Sequence, residues 1–88
     1  MEEFAKTLIR EGFVSRGVAG SVFDIKLLDG LWLCVWIHDT RMTVTLFGVG
    51  LVEEISLPNL CSNQVTHVDI AKVLQLKNLL HVDTEKAY

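Results

Sequence analysis

The side chains that could hold a metal ion or move a proton are Cys34, His38, Asp39, Cys61, His67, Asp69 and His81. A structural zinc site usually takes its ligands from two close pairs. Cys34 and His38 lie four residues apart in a segment that reads as a strand, so they share a face but stand about 13 Å apart at about 3.3 Å per residue. His67 and His81 flank a helical pattern and stand about 20 Å apart at about 1.5 Å per residue. Metal: none is expected, and no cofactor. A nucleophilic cysteine needs its thiol pKa lowered by a nearby cation or a helix N-terminus. Cys34 sits between Leu33 and Val35, where neither is evident, and reads as a small packing residue. Cys61 falls in a connector and is the more available thiol. Glu53 and Glu54 are adjacent on a strand pattern and point oppositely, so they are no catalytic dyad. Gly48-Val49-Gly50 reads as a turn. Dinucleotide, phosphate-loop, zinc-protease, paired-cysteine and nucleophile-elbow motifs are absent. The chain is expected not to be an enzyme, and no small-molecule substrate is evident.

The elements that position these residues follow from hydrophobic spacing. Residues 2–11 read as a helix, with Phe4, Ala5, Leu8 and Ile9 in one stripe and Glu2 and Glu3 at the end the helix dipole favours. Gly12 suits the left-handed residue that ends a helix, with Phe13 folding back on Leu8 or Ile9. Residues 14–20 read as a loop, or as an irregular edge strand. Segments 21–28, 31–37 and 42–47 read as strands, and Asp29-Gly30 is a strong hairpin signal. Residues 51–57 make a fourth strand ended by Pro58, with Glu53 and Glu54 protecting an exposed edge. After a connector at 60–65 comes a second helix over 68–80, capped by Thr66 and Asp69. Its stripe is Ile70, Val73, Leu74 and Leu80, with Leu76 and Leu79 off it, and residues 83–88 are expected to fray.

A two-residue turn at Asp29-Gly30 sets a register. It pairs Phe23 with Trp36, Ile25 with Cys34 and Leu27 with Trp32. Closing the next hairpin with Ile37 opposite Met42 pairs Val35 with Val44, Leu33 with Leu46, Trp36 with Thr43, Cys34 with Thr45 and Trp32 with Phe47. One face of the sheet is then aliphatic and suits the helices. The other is aromatic, with Phe23, Trp32, Trp36 and Phe47 as candidate partner-binding anchors and Thr43 and Thr45 as hydroxyls at the margin. A one-residue slip would exchange the faces within a strand.

The 88 residues allow a single domain, 1–88. Half of them are hydrophobic, a large share for a chain with so much surface to cover. Eight Lys and Arg against 11 Asp and Glu leave a net charge of −3, which weighs against duplex nucleic acid as the main partner. The acidic opening Met1-Glu2-Glu3 is not the basic start of a signal peptide. The longest apolar run, 31–37, is too short for a membrane helix. Two cysteines make no disulfide framework, so a cytoplasmic, reducing setting with free thiols and no membrane contact is expected.

The fold class expected is α+β: a mainly antiparallel sheet of about four strands in a meander, flanked by an N-terminal and a C-terminal helix on one face. The function expected is a non-enzymatic protein–protein interaction module, a homodimer through the aromatic sheet face, binding another protein or itself. In size and style it resembles compact acidic accessory proteins of phages, which inhibit or modulate a host protein. Two short helices can cover one face of such a sheet and hardly both, which favours an interface over a core role for Trp32 and Trp36. The alternative is that a loop or the first helix covers that face. A rival reading is a small nucleic-acid-binding regulator using the 66–80 helix, where Thr66, Asp69, Ile70, Ala71, Lys72 and Leu74 partly match the first half of a helix-turn-helix. Gln75 stands where that motif wants glycine. A basic patch from Lys6, Arg10, Arg16, Lys72 and Lys77 would mark that reading.

Overall fold

Alternating side chains in the middle of the chain and helical stripes at its two ends produce a sheet covered on one side. A computed structural model describes residues 2–16, 21–48, 50 and 54–85. The order is α1 (Glu2–Arg10), β1 (Val14–Arg16), β2 (Val22–Leu28), β3 (Leu31–His38), β4 (Arg41–Gly48), β5 (Ile55–Ser56), a 3-10 turn (Pro58–Leu60) and α2 (His67–Glu85). The strands form one antiparallel sheet in sequence order, so the fold is α+β as expected. The additional strand is β1, at the edge of the sheet, in the segment read as a loop or an irregular edge strand. It pairs Val14 with Asp24 and Arg16 with Val22. Of the expected fourth strand, Ile55 and Ser56 pair with Leu46 and Thr45. Its residues 51–53, including Glu53, lie outside the described residues, as do Val49 of the glycine turn and residues 17–20. The second helix runs on to Glu85, and residues 86–88 lie outside the description.

The helix ends follow the capping chemistry of their sequences. Gly12 takes φ of +102°, and its N–H donates to the Ile9 carbonyl while the Phe13 N–H donates to Leu8. That pair of bonds satisfies carbonyls left open at the end of α1 and turns Phe13 back to pack with Leu8 in the core. A Cβ on Gly12 would also meet the Ile25 Cδ1 at 3.3 Å. At α2 the Thr66 N–H donates to the Asp69 carboxylate at 2.8 Å, and the Asp69 N–H donates to the Thr66 hydroxyl at 3.5 Å. The backbone N–H of Thr66 holds the Asp69 carboxyl below its ordinary value. This contribution to stability is therefore present above the ordinary carboxylate range and is lost as pH falls through it.

The second hairpin has the expected register throughout, from Ile37 opposite Met42 to Trp32 opposite Phe47. The first hairpin does not. Leu28 faces Leu31, but the register shifts between Lys26 and Leu28. Phe23 then pairs with Val35 instead of Trp36, Ile25 with Leu33 instead of Cys34, and Trp32 faces Lys26 instead of Leu27. Of the turn pair, only Gly30 is left-handed, at φ of +79°. A two-residue type I′ turn needs φ > 0 at both positions, whereas one left-handed glycine at the end of the turn belongs with a bulged hairpin. Energetics select the bulge. Straight pairing would strand Phe23, Ile25 and Leu27 on the bare face and press Asp24 and Lys26 under the helices. Burying each large apolar side chain is worth about 1.5–3 kcal/mol, against about 1 kcal/mol for a disrupted ladder bond.

As a result Phe23, Ile25 and Leu27 join Leu33, Val35, Ile37, Met42 and Val44 in one core, closed by Leu8 and Phe13 at the N-terminal end and Ile70 and Val73 from α2. The far edge of β4 is closed by the connector. Leu57 donates to Val44, Met42 and Ser62 exchange two bonds, and Val65 donates to Thr40. The Val44 N–H finds no carbonyl in this ladder and donates to the Cys61 sulfur at 3.3 Å.

The register predicts opposite behaviour for Phe23 and Trp36, which straight pairing would set opposite one another. Phe23→Ala is expected to destabilise by about 3–5 kcal/mol, and Trp36→Ala by less than about 1 kcal/mol measured in the monomer. Urea unfolding followed by circular dichroism reads both, and equal losses would contradict this register.

Candidate functional site

The sheet face away from the helices carries a cluster of uncovered aromatic side chains, while Ile9, Val68 and Leu79 are exposed singly on the helices and Ile55 at the sheet edge. Because the pleat alternates, residues paired across neighbouring strands share a face. This face carries Trp32, Cys34 and Trp36 from β3, with Thr43, Thr45 and Phe47 beside them on β4. Trp36 is 46% exposed and Phe47 44% exposed, and Trp32 is half-buried. The Trp32 and Phe47 rings contact with centroids 6.1 Å apart, tilted by 51°. Val14, paired with Asp24, is a further large apolar side chain left exposed on this face.

Of the anchors named from sequence, Trp32, Trp36 and Phe47 come together here, with Thr43 exposed among them. Phe23 does not. It is 1% exposed on the opposite face, and Val22 takes the place beside Trp36. Thr45 is not at a margin either. It lies in the middle row, buried, and its Oγ1 has no hydrogen-bond partner among the described residues. The bulge also brings Asp24 and Lys26 to this face, where Arg16 pairs with Asp24 at 3.2 Å. The strict alternation Phe23-Asp24-Ile25-Lys26-Leu27 is the sequence signal for these placements.

Between Trp36, Thr43 and Thr45 lies a shallow depression of about 360 Å³, bordered also by His38, Arg41 and Glu54. It is open to solvent, with the ionisable side chains of His38, Arg41 and Glu54 on its rim. Cys34 forms the centre of the face and is half-buried. Burial pushes its thiol pKa up, and the carboxylates of Asp24 and Glu54 add to this, while the Thr45 hydroxyl acts the other way. The thiol is therefore protonated at neutral pH and a poor nucleophile. Cys61, read as the more available thiol, is engaged instead. Its sulfur accepts from Val44, and it donates to the Leu57 carbonyl at 3.4 Å.

The other chemical candidates stay apart. His67 packs edge-on against Phe4, with its Nε2 3.6 Å from the Glu3 carboxylate, and His38 lies 3.7 Å from Asp39. The side chain of His81 is outside the described residues. No three metal-ligating side chains converge among those described. The helix singled out for nucleic acid is uninterrupted from His67 to Glu85, so no turn follows Gln75 to start a second helix. Two of its five marker cations are already neutralised: Arg16 by Asp24, and Lys77, 11% exposed, by Glu11 at 3.5 Å. No described helix is long and apolar enough to cross a membrane. The chain matches no family model, no curated protein and no solved structure.

The environment of Cys34 makes its reactivity a probe of this face. With Cys61 replaced by Ser, the rate of alkylation at Cys34 is expected to rise along a pH curve displaced above that of free cysteine. Timed iodoacetamide labelling read by mass spectrometry measures it. A curve at or below the free-thiol range would mean that the sulfur is neither shielded nor near the two carboxylates.

Proposed function

We propose that the protein is a non-enzymatic protein–protein interaction module that acts as a dimer through the outer face of its sheet. The observation that carries this reading is the one-sided cover of the sheet. Both helices pack on the aliphatic side, and the other side keeps two tryptophans and a phenylalanine in one patch without a covering element among the described residues. Tryptophan is the residue most enriched at binding hot spots, because a large rigid surface is buried at small entropic cost. The half-buried thiol at the centre and the exposed Thr43 give the patch polar groups, and Asp24 beside Cys34 is paired with Arg16. A two-fold contact uses the same patch on both copies, which suits an open sheet face.

Such a module acts by occupying a surface. This fits a small accessory inhibitor or modulator of a host protein, of the style phages carry. The nucleic-acid alternative is the weaker reading, because the continuous α2 and the paired Arg16 and Lys77 remove the geometry and part of the charge it needs.

Light scattering during gel filtration at tens of micromolar is expected to give twice the mass of one chain. Trp36→Ala is expected to weaken the dimer by about 2 kcal/mol or more. A dimer of unchanged strength in that variant would place the contact elsewhere on the molecule.

A further inference from the structure

We propose that the depression beside Trp36 binds a free α-amino acid with an aromatic or long apolar side chain. The proposal goes beyond the interaction reading and does not rest on it. The depression holds about 360 Å³ and is bordered by Trp36, His38, Arg41, Thr43, Thr45 and Glu54. Register explains why these residues meet. Across the β3–β4 hairpin His38 faces Arg41 and Trp36 faces Thr43, on the side of the sheet away from the helices. Glu54 precedes Ile55 on the neighbouring strand and borders the same hollow from that side.

The charges of this hollow are uncommitted, which sets them apart from the others on the face. Arg16 and Lys26 each have a carboxylate beside them, Asp24 at 3.2 Å and Asp29 at 3.1 Å. His38 has Asp39 at 3.7 Å. Arg41 and Glu54 are exposed, and neither side chain has a hydrogen bond or ion pair among the described residues, with the other or with a third group. A ligand of one charge would meet one attraction and one repulsion there. A neutral ligand would cover both charges and pair neither. A ligand that carries both signs satisfies the two ends together, with its carboxylate in the fork of the Arg41 guanidinium and its ammonium on Glu54.

Size selects the class of zwitterion. A compact hollow of about 360 Å³ is on the order of 9 Å across. In an α-amino acid the ammonium and carboxylate stand about 3 Å apart, and a charge-assisted hydrogen bond of about 2.8 Å at each end brings the total to about 9 Å. The two ends of an extended tripeptide are about 10 Å apart before any hydrogen bond is added, so it overshoots. The remaining substituent of the amino acid meets the wall. Trp36 is 46% exposed, and a ring or long aliphatic chain laid on its indole is shielded from water. Between the charged ends the Thr43 hydroxyl is exposed, and the Thr45 Oγ1 is buried without a partner among the described residues, so the floor keeps unused hydrogen-bonding capacity. Trp36 also belongs to the face assigned above to a second copy, so the amino acid and that copy exclude one another.

The probe is L-phenylalanine, titrated against the nitrogen-15-labelled chain. The reporter is the indole N–H signal of Trp36, identified by its loss in Trp36→Phe. A ligand of about a dozen non-hydrogen atoms on an open site is expected to saturate with a dissociation constant of about 1–10 mM. Phenethylamine lacks the carboxylate and 3-phenylpropionate lacks the ammonium, and each is expected to bind about threefold to fivefold more weakly. Arg41→Gln is expected to bring phenylalanine down to the level of phenethylamine while leaving phenethylamine no weaker. Glu54→Gln is expected to do the same with respect to 3-phenylpropionate. Circular dichroism checks that both variants are folded, and the unchanged binding of the truncated compound checks that the hollow is intact. Equal responses to all three compounds, or variants that leave their ranking unchanged, would mean adhesion to the indole alone and overturn the proposal. Sedimentation velocity on the same samples separates this outcome from self-association. A monomer whose Trp36 signal responds with the expected ranking keeps the site and removes the dimer. A monomer or dimer whose Trp36 signal does not respond removes the site.

Discussion

The structure depends on the competition between turn geometry and one-sided burial in β2. Asp29-Gly30 is compatible with two hairpins that differ by one residue, and the difference decides which face three large apolar side chains occupy. Left to the turn, Phe23, Ile25 and Leu27 would lie in the open. The core instead draws them beneath the helices, and the chain absorbs the mismatch as a bulge near Leu27. The bulge is local in cost and global in effect. It completes a core in which Phe23, Leu33, Val35 and Val44 are almost wholly enclosed, and it moves Asp24 and Lys26 to the opposite side.

From that choice follows the asymmetry of the sheet. The helix face is mainly aliphatic, with Phe23, the returning Phe13 and Phe4 of α1 as aromatic members of its core. The other face receives the pairs that β3 and β4 share, Trp32 with Phe47, Cys34 with Thr45 and Trp36 with Thr43. The bulge then adds a charged border on the β1 side, where Arg16 and Asp24 pair. A face of purely apolar side chains would associate without orientation. This one has two apolar ridges, a protonated thiol at the centre and a paired Arg16 and Asp24 on the β1 side.

The edges of the sheet show the same economy. The long free edge of β4 would be a template for unwanted pairing, and the connector after β5 occupies it with backbone bonds and one sulfur. Cys61 therefore acts as a hydrogen-bond acceptor in a ladder position. This gives a cysteine in a surface connector a structural role.

Sequence alone determined the elements whose signals are local. The Gly12 helix stop with Phe13 folded back, the Thr66-Asp69 cap and the whole register of the β3–β4 hairpin follow from residue types within a few positions of one another. So did the grouping of Trp32, Trp36, Phe47 and Thr43 on one face, because all four lie on strands joined by that hairpin. What only the tertiary structure decided were the first hairpin's register, the strand at Val14–Arg16, the burial of Thr45 and the engagement of Cys61. In each case the deciding energy comes from partners distant in sequence. Phe23 went to the core because Ile70 and Val73, from the far end of the chain, help to close it. Cys61 became an acceptor because Val44 had an N–H left over. Turn propensity reads one or two residues, whereas burial sums over the whole core, and where they disagree by one position the larger sum prevails.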